Sequence, residues 1–291
     1  MPKSSMKTIK RRIKSVGSTL QITKAMEMVA SSKLRRAKKR AEQMRPYFRA
    51  LEDLLSDIAA QKNDFKTILT TKREVKNRLY IIIAGDRGLA GGFNSNIMRL
   101  VTSVEREQPD LVPAKVIVIG RRTAEYFRKK GNSIVAEYPY FSENVKASKC
   151  ADIADMAVGM FRSGDADEVR IFYTAYLSAL IQEATMKCLL PYVPVERGTP
   201  AAPQKSIDTR YDPSPEAVFD RIIPKLFLSV ISGACVDSFA SEQSARRNAM
   251  ESASDNAEEM IEKLSLQYNR ARQEKITNEI NEIVGGANAI S

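Results

Sequence analysis

Histidine and tryptophan are absent from these 291 residues, and cysteine occurs only three times. Without histidine the chain lacks the side chain most used for proton transfer and metal ligation near neutral pH. Cys150, Cys188 and Cys235 lie far apart with no CxxC pair, so neither a disulfide framework nor a zinc site is indicated. No run approaches the ~20 uninterrupted apolar residues that span a bilayer. The opening MPKSSMKTIKRR also lacks the apolar centre of a secretory signal. These absences predict a soluble chain in a reducing compartment, with no catalytic residue, metal or cofactor of its own.

What is abundant is positive charge, and it is concentrated. The net charge is +11, yet residues 1–46 alone hold fourteen Lys/Arg against two acids, while the remainder holds 32 against 33. The excess therefore belongs to one segment. Apolar residues make up 43% of the chain, enough to build a core.

That basic segment is also periodic. Stepping by four and three from Ile9 reaches Ile13, Val16, Leu20, Thr23, Glu27, Ala30, Leu34, Ala37, Ala41, Met44, Phe48, Leu51, Leu55 and Ile58, and thirteen of these fifteen positions are apolar. A heptad sustained this long predicts a coiled-coil helix. Pro46 should kink it without ending it, because the stripe continues in phase. At 1.5 Å per residue the helix is roughly 75 Å long, too long for the inside of a compact domain.

The other end of the chain has the same character. Ser214-Pro215-Glu216 is a helix start, and no glycine or proline interrupts the residues between Gly233 and Gly285. Gly285-Gly286 predicts a stop. Small residues in SFASEQSARRNAMESASDNA allow close helix approach, and Ile261, Leu264, Tyr268 and Ala271 continue a seam. Between the two helices the pattern changes. RLYIIIAG (78–85), KVIVIG (115–120) and EVRIFYTAY (168–176) read as strands, with helical patterns at SNIMRLVTSVERE, RRTAEYFRKK and SKCADIADMAVGMFR. QEATMKCLLPYV (182–193) adds an antiparallel edge strand, and six prolines from Pro191 to Pro215 mark a stiff linker.

The expected fold is α/β: a long antiparallel coiled coil of N- and C-terminal helices (residues 1–60 and 214–291) with an inserted Rossmann-like domain (61–213). Antiparallel pairing follows because both helices join the insert at adjacent ends. Pairing residue 58 with about 217 brings the chain start near residue 270. The C-terminal residues then project as a lone helix of roughly 25 Å. Ile276, Ile280, Ile283 and Val284 line that tip, and a bare apolar stripe calls for an outside partner.

Three further features invite function. AGDRGLAGGFN (84–94) is glycine-rich after a strand, but its GxxGxxG spacing matches neither the dinucleotide nor the P-loop fingerprint, which favours a tight structural turn over a nucleotide site. The run from Lys33 through Arg35, Arg36, Lys38, Lys39 and Arg40 suits a solvated coiled-coil face, nucleic-acid phosphates or an acidic protein surface. Against nucleic acid, the heptad seam runs straight through it. Finally, Ile22, Ala25, Met26, Met28, Val29 and Ala30 spread beyond one stripe, so a row of them should face a third body.

ITKAMEMVASSKLRRA (22–37), GDRGLAGGFN (85–94), SFASEQSARRNAM (238–250) and YNRARQEKITNEINEIVGGA (268–287) resemble signature blocks of the gamma-subunit family of F-type ATP synthases, of bacterial type. The resemblance runs from end to end. It implies a non-catalytic central stalk that couples ion flow to ATP synthesis by rotating inside an alpha3beta3 ring, with the insert against the epsilon subunit and the c-ring. By the same resemblance Arg272, Gln273 and Thr277 would contact a beta-subunit catch loop, and Met26, Arg246 and Glu282 would lie in the coupling region. Lys33, Arg35 and Arg36 would face acidic beta-subunit levers, and Ile276, Ile280 and Ile283 would turn in an apolar sleeve. The implied location is the cytoplasmic face of the cell membrane, with membrane contact only through the complex and no nucleic acid bound. The rival reading is a coiled-coil nucleic-acid-binding protein.

Overall fold

The computed structural model of the chain describes residues 6–60, 66–107, 114–193 and 211–288, with the side chains of Ala60, Glu282 and residues 284–288 outside that description. Ten elements follow in order: α1 (Met6–Ala60), β1 (Arg78–Ile83), α2 (Phe93–Arg106), β2 (Lys115–Ile119), α3 (Arg121–Lys130), β3 (Ile134–Tyr138), α4 (Ala147–Ser163), β4 (Glu168–Tyr176), β5 (Gln182–Leu190) and α5 (Pro215–Asn288). The chain divides into two compact units, Met1–Ser31 with Arg246–Ser291, and Ser32–Ala245.

In the larger unit one sheet runs β3-β2-β1-β4-β5, parallel except for β5, which pairs antiparallel with β4. Every residue of β1 is buried, as a central strand covered on both faces requires, and its Leu-Tyr-Ile-Ile-Ile run is the sequence signature of that position. On one face α2 and α3 pack through Phe93, Ile97, Val101 and Phe127. On the other, α4 meets Leu51, Leu55 and Ile58 of α1 and the Phe219–Val236 stretch of α5. That stretch explains why α5 contains a window apolar enough to cross a membrane: 56% of the window is buried within the chain, as a core helix is.

The helix start at Ser214 forms as its residue types dictate, with Ser214 Oγ accepting the Ala217 N–H at 3.1 Å. α1 continues through Pro46, and every heptad position from Ile9 to Ile58 is buried or half-buried. Two expectations fail. β3 was not anticipated, because IVAEY is a short edge strand with half-buried alternation and little apolar content. Gly285-Gly286 does not end α5, which runs to Asn288; glycine weakens a helix by about 1 kcal/mol but stops one only where the backbone turns left-handed. The proline-rich linker falls mostly on residues 194–210, outside the described residues.

In the smaller unit the N-terminal part of α1 pairs with the C-terminal part of α5. Thr23 and Ser254 hydroxyls meet at 2.7 Å inside the seam, two residues from the pairing the sequence predicts. Burial fixes the direction. α1 starts at Met6, seventeen residues before Thr23, and inward-facing positions on α5 end at Ala271, seventeen residues after Ser254. Only antiparallel helices give equal and opposite intervals.

Candidate functional site

From Arg272 to Ile280 every α5 side chain is exposed. The isoleucine stripe stands out in this region, with Ile276 44%, Ile280 54% and Ile283 72% accessible. Arg272, Gln273 and Thr277 lie on the same bare stretch, between and beside the isoleucines. The Glu282 side chain lies outside the described residues. A helix continuing past its partner has no intrachain reason to carry branched apolar residues at positions 276, 280 and 283.

Nearer the seam, Lys24 Nζ donates to Glu258 Oε1 at 2.5 Å, and this hydrogen bond holds the Lys24 ammonium above its usual range. Ile22, Ala25, Met28 and Val29 are exposed, forming the predicted outward row, while Met26 is half-buried and Ala30 is buried in the seam. Arg246 is buried, with 9% of its surface accessible.

The basic run of α1 is partly engaged by its own chain. Lys33 Nζ meets Glu143 Oε1 at 2.5 Å, Lys38 sits 4.7 Å over the Tyr176 ring, and Arg40 donates to the Val145 carbonyl. Arg35 and Arg36 remain exposed. The run is thus two sets, one tying α1 to the insert and one facing water.

The glycine loop is closed by its own side chains. Gly85 N–H donates to Asn94 Oδ1 at 2.8 Å, and Asp86 Oδ1 accepts the N–H groups of Arg121 and Tyr140 at 2.9 and 2.8 Å, capping α3. The crevice between β1 and β4, where strand order reverses and open α/β sheets bind ligands, is filled by α5. A Cβ on Gly85 would lie 3.1 Å from the Glu242 carboxyl carbon. Ser238 Oγ accepts the Thr174 N–H, and Ser241 Oγ donates to the Thr174 carbonyl. Structural turn is therefore the reading this loop supports. Among the described residues no three His, Cys, Asp or Glu side chains gather as a metal-holding group.

The family model for ATP synthase matches residues 5–290. The ATP synthase gamma chain of Ruminococcus albus is 46% identical over 285 residues, covering 96% of both chains. That of Alkaliphilus metalliredigens is 43% identical over 98% of both. The chain belongs to the ATP synthase gamma-chain family. A sodium-ion-specific gamma chain from Acetobacterium woodii is 41% identical over 99% of each chain. In fold, the chain is similar to one in the Euglena gracilis mitochondrial ATP synthase (TM-score 0.68, 17% identity, 98% of this chain and 94% of that one). It is also similar to one in the central stalk and c-ring structure from Tetrahymena thermophila (TM-score 0.60, 24% identity, 80% and 99%).

As a gamma-chain family member, the protein is a subunit of ATP synthase, a membrane-associated complex. Sequence reasoning missed two features of this gamma-type fold. The plug of Glu242 against Gly85 joins residues far apart in the chain and leaves no local pattern. The basic surface of α2 and α3 was hidden because distant acids cancel it in any sum over the remaining chain.

Proposed function

We propose that the chain is the rotating shaft of its ATP synthase and performs no bond chemistry itself. The single observation that carries this is the bare isoleucine stripe, half or more exposed at Ile280 and Ile283, on a helix that has outrun its partner. Fully burying such a side chain is worth roughly 1.5–3 kcal/mol, so a surrounding apolar sleeve would hold the tip strongly. Such a contact is also weakly directional. A bearing needs that property, because directional hydrogen bonds would have to break at each step.

Torque requires polar grips elsewhere. Arg272, Gln273 and Thr277, exposed between and beside the isoleucines, are suited to hydrogen-bond a beta-subunit loop, and Glu282 extends that set. Arg35 and Arg36 present exposed guanidinium groups to acidic levers; Lys33 would first have to leave Glu143. Met26 and Arg246 belong to the coupling region near the outward apolar row. As the asymmetric helix pair turns, each catalytic site would meet a different face and shift its nucleotide affinity accordingly. In this division of labour residues 1–60 and 214–291 form the shaft, and residues 61–213 form a foot held by the epsilon subunit and c-ring at the cytoplasmic face of the membrane.

Removing residues 276–291 tests the bearing. ATP-driven ion pumping by reconstituted complexes should fall markedly, or assembly should weaken. Unchanged assembly and pumping would overturn the proposal.

A further inference from the structure

Charge is distributed unevenly over the insert. α2 and α3 together hold seven cationic side chains and only two acids, Glu105 and Glu125. Both acids are already engaged. Glu105 pairs with Lys130, and Glu125 is shared by Arg121 and Arg122 at 3.2 and 3.3 Å. Arg99 and Arg106 are exposed and have no internal ion pair or hydrogen bond among the described residues.

These guanidiniums border one groove. Between α2 and α3 lies an open trough of about 750 Å³ rimmed by Arg99, Arg106 and Arg122, with no carboxylate in its lining. Met98 and the Tyr126 ring contribute apolar surface, and Tyr126 Oη meets Thr102 Oγ1 at 3.2 Å across it. Arg99 and Arg106 are two turns apart on α2, so their Cα atoms are separated by roughly 10 Å. Carboxylates two turns apart on a facing helix match that spacing. An apolar floor with a cationic rim is the complement of an amphipathic helix with an acidic edge.

We infer that the α2–α3 groove docks an acidic amphipathic helix of a partner protein, gripped through Arg99, Arg106 and Arg122. This inference stands on the groove alone and holds whether or not the α5 tip is sheathed. Bidentate guanidinium–carboxylate pairs supply its specificity.

The test places a photo-crosslinking amino acid at Ser103 in the full chain within its native assembly, and identifies the adduct by mass spectrometry. The expected adduct is a protein segment carrying carboxylates at helical spacing. Its yield should fall about tenfold or more in R99E/R106E, since close interfacial charge pairs couple by at least ~1.4 kcal/mol. K129E, exposed on α3 outside the groove lining, should leave it unchanged, and replacing the adduct's acids with lysine should restore it in R99E/R106E. A lipid adduct, no protein adduct, an adduct insensitive to R99E/R106E, or failure of the charge swap would each overturn the inference. So would saturable binding of inorganic triphosphate or ATP at the groove in place of a protein adduct.

Discussion

Gly120 adopts φ +102°, and a Cβ there would lie 2.2 Å from the Ala84 carbonyl oxygen, where the end of β2 crosses the loop after β1. Gly120→Ala should therefore destabilise the protein by about 3 kcal/mol, read as a lower denaturant midpoint. A midpoint within experimental error of the unaltered chain would show that the loop can relax. Asp167 makes a pH-dependent counterpart. Its carboxylate accepts the Asn77 and Lys76 N–H groups at 2.8 and 3.0 Å, and these bonds, with Arg73 nearby, hold its pKa below the usual carboxylate range. Because the folded-state value is lowered, the stabilisation is full above the unfolded pKa near ~3.9 and is lost as pH falls through the folded value. Asp167→Asn should cost about 1–2 kcal/mol at pH 7, and its gap from the unaltered chain should close below about pH 4. A gap that stays constant from pH 7 to 3 would contradict the assignment.

Among the elements, legibility tracked periodicity. The heptad from Ile9 to Ile58 could be read directly because each position's neighbours three and four residues away repeat the same constraint, and all are inward-facing in the structure. Burial on both faces made β1 equally plain. β3 offered no comparable signal, since an edge strand buries one face shallowly and borrows its stability from β2. The contact of Glu242 with Gly85 and the groove between α2 and α3 are products of tertiary placement, so no window of sequence contains them. In the helix pair, the Thr23–Ser254 hydroxyl contact lies inside an otherwise small-residue seam. A double-mutant cycle of Thr23→Val and Ser254→Ala should give a coupling energy of about 0.5–1.5 kcal/mol. Strict additivity would place those hydroxyls apart in solution.

For the whole molecule, the family relationship and the bare end of α5 converge on a part that moves within a larger machine. Its buried core lies where the sheet is covered, while α1 and the α5 end carry exposed apolar residues. The direct test is to watch it turn. With Cys188→Ser removing the exposed native thiol and Lys129→Cys carrying a fluorescent filament, the catalytic hexamer is fixed to glass and ATP is added. The account predicts unidirectional, stepwise rotation of the filament, stopping when ATP is exhausted. A filament that stays fixed while the same complexes hydrolyse ATP would contradict it.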